Sequence, residues 1–290
     1  MTRRTVMAGL ALAPVAGAAA REGIVESESS LVLPSGRVMP FRLWRPVGDG
    51  PLPLMLFSHG AFSRPDKYRN LVEPMAAAGF VVAAPLHADT PDHPGGGKID
   101  PADSMAFRME DMRALIRMRA SIGADNGPVV ACGHSFGALI AQILVGARVA
   151  ARGTGAAAED GDCDLALAFS PPGPFPPNIP ETTWETVSRP MFVQTGTADI
   201  LPMIAPRWEA HKLSYDTTPA PALLFVGEGV DHYFGNLYGR PERTETPQRV
   251  QFDGAIAAAL ALVRAVRSGG SIAAITEVQP GLARLEARNV

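Results

Sequence analysis

Six short runs of apolar residues, Leu54–Ser58, 80–86, 129–132, Leu165–Phe169, 191–195 and 222–226, alternate with helical stretches along this chain. No other feature constrains its fold as tightly. A strand that is apolar on both faces has to be covered on both faces, and strands joined through crossover helices run parallel. Ahead of these runs, residues 24–33 and 37–45 are strand-like and are joined by Pro34-Ser35-Gly36, which predicts an antiparallel hairpin. Between the strands, Met105, Met109, Met112, Leu115 and Ile116 share one side of a helix over 105–119, and residues 250–267 form an Ala- and Leu-rich helix. The expected fold is α/β, with a mostly parallel central sheet, an N-terminal antiparallel hairpin and helices on both faces. Ligands of such sheets bind beyond the carboxyl ends of the strands. Chemistry is therefore expected in the loops that follow them.

With 47% hydrophobic and 19% charged residues, the chain can bury a large core, and residues 21–290 read as one catalytic domain. A net charge of −3 without a Lys/Arg cluster excludes a nucleic-acid partner. Residues 1–20 differ: Arg3 and Arg4 precede an uncharged stretch ending in Ala-Gly-Ala-Ala-Ala. This is the form of a signal peptide cleaved after Ala18 or Ala20, and Thr-Arg-Arg-Thr-Val-Met is similar to the twin-arginine pattern. Its apolar part falls short of the ~18 residues of a spanning helix, which excludes a permanent membrane anchor and predicts export to the bacterial periplasm or beyond. Cys132 and Cys163 fall near opposite ends of neighbouring strands, so both are expected as free thiols.

Gly133-His134-Ser135-Phe136-Gly137 matches G-x-S-x-G directly after one apolar run and before an apolar helix over 138–147. In that setting the serine sits on a strained strand-to-helix turn, and the glycines let neighbouring backbone pass without a clash. A serine hydroxyl attacks well only when a base takes its proton. Of six histidines, His232 follows the run at 222–226, at the strand end where Ser135 also lies. His134 is the x of the motif, His59 a strand-end residue, and His211 reads as part of a surface helix. Asp199, after the run at 191–195, is the expected acid that orients His232, with Asp231 its rival. The backbone N–H groups of Phe136 and of Ala61, or alternatively Phe62, are the expected oxyanion donors. Phe62, His134 and Trp184 are expected to line the substrate pocket; Trp184 lies in a segment, 170–188, with six prolines. His87, Asp89, Asp92 and His93 have metal-ligand side chains, but a Pro- and Gly-rich loop gives them no register. They read as an exposed loop, and no metal or cofactor is expected.

Taken together, Ser58-His59-Gly60-Ala61-Phe62, Ala78-Gly79-Phe80-Val81-Val82-Ala83-Ala84-Pro85, Arg108-Met109-Glu110-Asp111, the Ser135 motif, Gly196-Thr197-Ala198-Asp199 and Asp231-His232-Tyr233-Phe234 resemble one branch of the α/β-hydrolase superfamily. That branch holds the dienelactone-hydrolase-like proteins, platelet-activating-factor acetylhydrolases, chlorophyllases and cutinase-like polyester hydrolases. The resemblance implies the α/β-hydrolase fold, a cofactor-free serine carboxylic-ester hydrolase, and Ser135, Asp199 and His232 as its triad. Ser135 stands where dienelactone hydrolases carry a cysteine. Ser170-Pro171-Pro172 stands where polyester hydrolases carry a Trp. The expected substrates are small esters with short or medium acyl groups. The alternatives are a peptidase, amidase or acyltransferase with the same triad, and a catalytically silent binding protein.

Overall fold

The computed structural model describes residues 20–21, 23–48, 50–95, 99–100, 103–125, 127–150, 161–240, 246–275 and 281–289. The leader expected at residues 1–20 lies outside them apart from Ala20. Ten strands form one sheet: β1 (Ala20–Arg21), β2 (Ile24–Val32), β3 (Val38–Pro46), β4 (Leu54–Ser58), β5 (Val81–Pro85), β6 (Val129–His134), β7 (Leu165–Phe169), β8 (Met191–Gly196), β9 (Ala222–Gly227) and β10 (Ala283–Arg288), in the order β1-β2-β3-β5-β4-β6-β7-β8-β9-β10. From β5 through β4 and β6 to β9 every pairing is parallel. The β2–β3 hairpin joins β5 antiparallel, and β10 closes the far edge antiparallel to β9.

Successive residues of the central strands serve two cores, as a pleat of period two requires. Leu54, Leu56, Val129 and Ala131 face a cluster with Met105, Met109, Met112 and Leu115 of α2 (Ser104–Arg117) and Leu139, Ile140 and Ile143 of α3 (Phe136–Ile143). Met55, Phe57, Val130 and Cys132 face the other, with Leu71, Val72 and Met75 of α1 (Arg69–Ala77) and Phe252, Ala255 and Leu262 of α5 (Arg249–Ser268). A short α4 (Leu213–Thr217) precedes β9. Cys132 and Cys163 are free and buried.

Sequence reading did not find β10, whose Ala-Arg-Leu-Glu-Ala-Arg alternates but is half charged, as befits an edge strand. The loop at 87–95 needs correction: His87, Asp89, Thr90 and His93 are buried, not exposed. The polar atoms of His87, Asp89 and His93 are taken up by Asp111, Arg108, the Val38 carbonyl and the Gly95 N–H, and the Thr90 hydroxyl accepts the Asp92 N–H, which is why a polar loop tolerates burial.

Candidate active site

Ser135, which follows β6, turns the chain into α3 with φ 55° and ψ −121°. That conformation costs a residue with a Cβ on the order of 1–3 kcal/mol, and the surroundings have to enforce it. Two glycines do so by allowing backbone contact. A Cβ on Gly133 would stand 2.2 Å from the Gly137 carbonyl oxygen, and one on Gly137 would stand 1.9 Å from that of Ser58. The Ser135 N–H donates to the Phe169 carbonyl at 2.9 Å, which ties the turn to the end of β7.

The loops after β8 and β9 are joined to each other. The Thr197 N–H donates to Gly227 at 2.9 Å and the Ala198 N–H to Val230 at 3.0 Å. This brings His232 Nδ1 to 2.7 Å from Asp199 Oδ1, while the Thr195 hydroxyl donates to the other carboxylate oxygen at 3.0 Å. Asp199 is fully buried. Burial pushes its carboxyl up, but the charge and hydrogen bond of His232, with His211 behind them, outweigh it and hold the group at about 2. Asp231, the rival, turns away: its Oδ1 accepts the N–H groups of Tyr233 at 2.8 Å and Gly235 at 3.0 Å, shaping the turn that presents His232.

His134 stands behind these groups and does not line an open pocket, because it is buried. Its Nε2 lies 2.8 Å from the His232 carbonyl, which can only accept, so Nε2 carries the proton. Nδ1 therefore accepts the Tyr68 hydroxyl at 3.0 Å, and Tyr68 accepts the Gly60 N–H at 3.0 Å. One chain of hydrogen bonds thus joins the loop after β4, the residue beside Ser135 and the backbone of His232. Burial holds His134 well below the usual imidazole range, which keeps this tautomer neutral.

His211 was expected on the surface and is buried. The 3-10 helix Trp208–Lys212 packs under the loop after β7, so His211 Nδ1 lies 2.6 Å from the Pro171 carbonyl and Nε2 lies 3.1 Å from Asp199 Oδ1. Two imidazoles flank one carboxylate oxygen, and only His232 hydrogen-bonds to it. Burial lowers the proton affinity of His211 against the pull of Asp199. Asp199, His211 and His232 also form the one group among the described residues whose potential metal-ligand atoms lie within 4.8 Å of one another. A cation there has to displace the His232–Asp199 bond. Trp184 also needs correction: it is fully buried and donates to Gln142 Oε1 at 2.8 Å, so it fills the core and presents no surface to a ligand.

Ala61 and Phe62 follow β4 beside the serine, since a Cβ on Gly60 would stand 3.7 Å from that of Ser135. Phe62 is 70% exposed and has φ 57°. With Phe175, Ile200, Met203 and Ile204, all on loops at the same sheet edge, it gives that edge exposed apolar side chains. Sequence reading missed Tyr68 and His211. Tyr68 carried no signal, whereas the position of His211, twelve residues beyond Asp199, was a signal read the wrong way.

Residues 55–276 match the family model described as the alpha/beta hydrolase family. No curated protein sequence matches the chain. Among solved structures, the chain is similar to a putative dienelactone hydrolase from Klebsiella pneumoniae subsp. pneumoniae, at 17% identity and TM-score 0.61 over 82% of this chain and 97% of that one. It is similar to a cold-adapted esterase from an Arctic intertidal metagenomic library, at 14% and 0.59 over 84% and 97%. The propionate-bound esterase 2 of Thermogutta terrifontis matches at 18% and 0.57 over 81% and 92%.

Proposed function

The chain belongs to the alpha/beta hydrolase family, and from that premise we propose that it is a serine carboxylic-ester hydrolase working through an acyl-enzyme. The observation that carries the reading is the buried 2.7 Å pair of His232 and Asp199, held by a hydrogen bond from His134, the neighbour of the strained Ser135. Ser135 Oγ attacks the ester carbonyl and passes its proton to His232 Nε2. Asp199 keeps the other ring nitrogen protonated and stabilises the imidazolium. The N–H groups of Ala61 and Phe136 take the oxyanion; Phe136 is the first residue of α3, so its N–H has no intrahelical acceptor. The alcohol leaves with the proton from His232. Water then attacks the acyl-serine with His232 again as base, releasing acid and free Ser135.

Short or medium acyl groups are the proposed substrates. Propionate-bound and butyrate-bound forms of Thermogutta terrifontis esterase 2 are among the similar structures, and the exposed apolar side chains at the sheet edge suit an acyl chain. Among the described residues no helix is long and apolar enough to cross a membrane. From the signal-peptide form of residues 1–20, we propose that the enzyme works outside the cytoplasm. The test is labelling of purified protein with a fluorophosphonate probe alongside p-nitrophenyl butyrate hydrolysis, with Ser135→Ala as control. Labelling and turnover are expected, and both vanish in the variant. An unlabelled, inactive wild type, or an equally labelled Ser135→Ala, overturns the proposal.

A further inference from the structure

Arg108 of α2 is fully buried, and all five of its guanidinium N–H groups are used. Nε donates to Asp89 Oδ1 at 3.1 Å and Nη2 to Asp89 Oδ2 at 2.7 Å. Nη1 donates to the Ser58 hydroxyl at 3.2 Å and to the His59 carbonyl, and Nη2 donates to the Gly60 carbonyl at 3.1 Å. The face of the same guanidinium lies 4.5 Å from the centre of the Phe136 ring. A buried charge is costly unless fully paired. The Asp89 carboxylate meets that cost, yet three donors are directed at the backbone and side chain of one short loop.

The direction of those bonds has a consequence for the loop. In a trans peptide the C=O and the N–H of the same unit point opposite ways. The His59–Gly60 unit shows it: its carbonyl is on Arg108 and its N–H is on the Tyr68 hydroxyl at 3.0 Å. The Gly60–Ala61 unit has its carbonyl on Arg108 as well, which turns the Ala61 N–H away from Arg108 and towards the exposed side of the loop. That N–H is one of the two donors assigned to the oxyanion. The other belongs to Phe136, whose ring stacks on the same guanidinium.

We propose that Arg108 is the positioning residue of the oxyanion hole, one planar cation that orients the peptide presenting Ala61 and packs the residue presenting Phe136. The inference rests on the esterase reading and adds a second requirement to it. Arginine is required because the job needs five donors in a fixed planar fork and a stacking face. Lysine has three donors and no face. Arg108 makes no hydrogen bond to Asp199 or His232, so its loss is expected to affect transition-state stabilisation and leave the titration of the base alone.

The test compares Arg108→Lys, Arg108→Ala and Asp89→Asn with wild type on p-nitrophenyl butyrate. Arg108→Lys is expected to lose about 10²–10³ in kcat, the size of one lost oxyanion donor. KM is expected to stay within about threefold, and the acid limb of the kcat/KM profile to stay in place, because ground-state binding and the base are untouched. Guanidinium ion at millimolar concentration is expected to restore about tenfold or more of the Arg108→Ala activity. Asp89→Asn, which keeps the arginine but removes its charged anchor, is the milder variant if Arg108→Ala does not fold, and is expected to lower kcat about tenfold at unchanged KM. The proposal is overturned if Arg108→Lys keeps kcat within about threefold of wild type, or if activity in every variant falls only in proportion to the folded fraction with no guanidinium rescue. Either result with an active, labelled wild type leaves the esterase reading standing. An inactive, unlabelled wild type removes both.

Discussion

Gly137→Ala tests how closely the elbow and the oxyanion loop depend on each other. A Cβ at this position would stand 1.9 Å from the Ser58 carbonyl oxygen, 2.4 Å from its carbon and 2.7 Å from the His59 oxygen. An ordinary C···O contact is about 3.3–3.6 Å, so α3 and the loop after β4 have to part by more than about 1 Å. Every atom in the way is backbone, and no flexible side-chain end can yield instead. Overpacking of this kind costs about 1–3 kcal/mol, and the rigidity of the neighbours puts this case near the upper end. At about 2–4 °C per kcal/mol for a chain of this size, Tm is expected to fall by roughly 6–12 °C. Activity is expected to fall further than stability, because the displaced segment carries the Ala61 N–H and a misplacement near 1 Å can cost about 10²-fold in kcat. The assay is kcat and KM for p-nitrophenyl butyrate with a thermal melt of the same preparation. Gly254→Ala in α5 is the control: its Cβ would meet only the Phe225 ring, at 3.6 and 3.8 Å, so it is expected to melt no lower than wild type and keep full activity. If Gly137→Ala keeps kcat within about threefold and Tm within about 2 °C of wild type, the reasoning fails, because the two segments are then not in contact.

Two further outcomes are expected. The Asp199 carboxyl, held at about 2 against an ordinary 3.8, binds fewer protons in the folded than in the unfolded chain between those values, so its contribution is full above about pH 4 and is lost as pH falls through about 2. Asp199→Asn is expected to remove on the order of 2 kcal/mol of that acid-side loss, read as urea midpoints at pH 5 and pH 2.5; an unchanged difference between the two midpoints refutes it. Trp184→Ala is expected to cost about 3–5 kcal/mol and to leave Gln142 Oε1 without its donor, while the relative kcat/KM for acetyl, butyryl and octanoyl esters stays as in wild type. A changed acyl preference at unchanged stability would return Trp184 to the pocket wall.

The fold was legible because its signals are local. Strands apolar on both faces, such as Leu54–Ser58 and Leu165–Phe169, have few other ways to be buried, and the Met105-Met109-Met112 spacing marks the buried side of α2. The placing of Ser135, Asp199 and His232 at one sheet edge was legible for a related reason: each follows a strand, and parallel strands deliver their carboxyl ends to one edge. What sequence could not supply was long-range polar pairing. His211 meets Asp199 because a 3-10 helix folds under the loop after β7, and Tyr68 meets His134 across 66 positions. Neither contact leaves a periodicity. The burial of His87, Asp89 and His93 escaped for the same reason, since a polar loop looks exposed until its distant partners are known.

A second Ser-His-Asp trio shows what these residue types do not do by themselves. Ser58 Oγ lies 2.9 Å from His87 Nε2, and His87 Nδ1 lies 2.8 Å from Asp111 Oδ2. By residue type this matches Ser135, His232 and Asp199, and its histidine–aspartate distance is close to the 2.7 Å of His232 and Asp199. Yet Ser58, His87 and Asp111 have no exposure at all, so no ester can reach the hydroxyl. Ser58 also already accepts Arg108 Nη1 at 3.2 Å, and it ends a regular strand instead of standing on a strained turn. Burial holds His87 well below the usual imidazole range, which opposes the imidazolium that attack would require. The trio instead fixes the loop that Arg108 grips. The difference between the two sites is therefore the positive φ at Ser135 and its partial exposure, neither of which Ser58 has. On the proposed esterase reading, backbone geometry separates Ser135 from Ser58 before any difference between their histidines does.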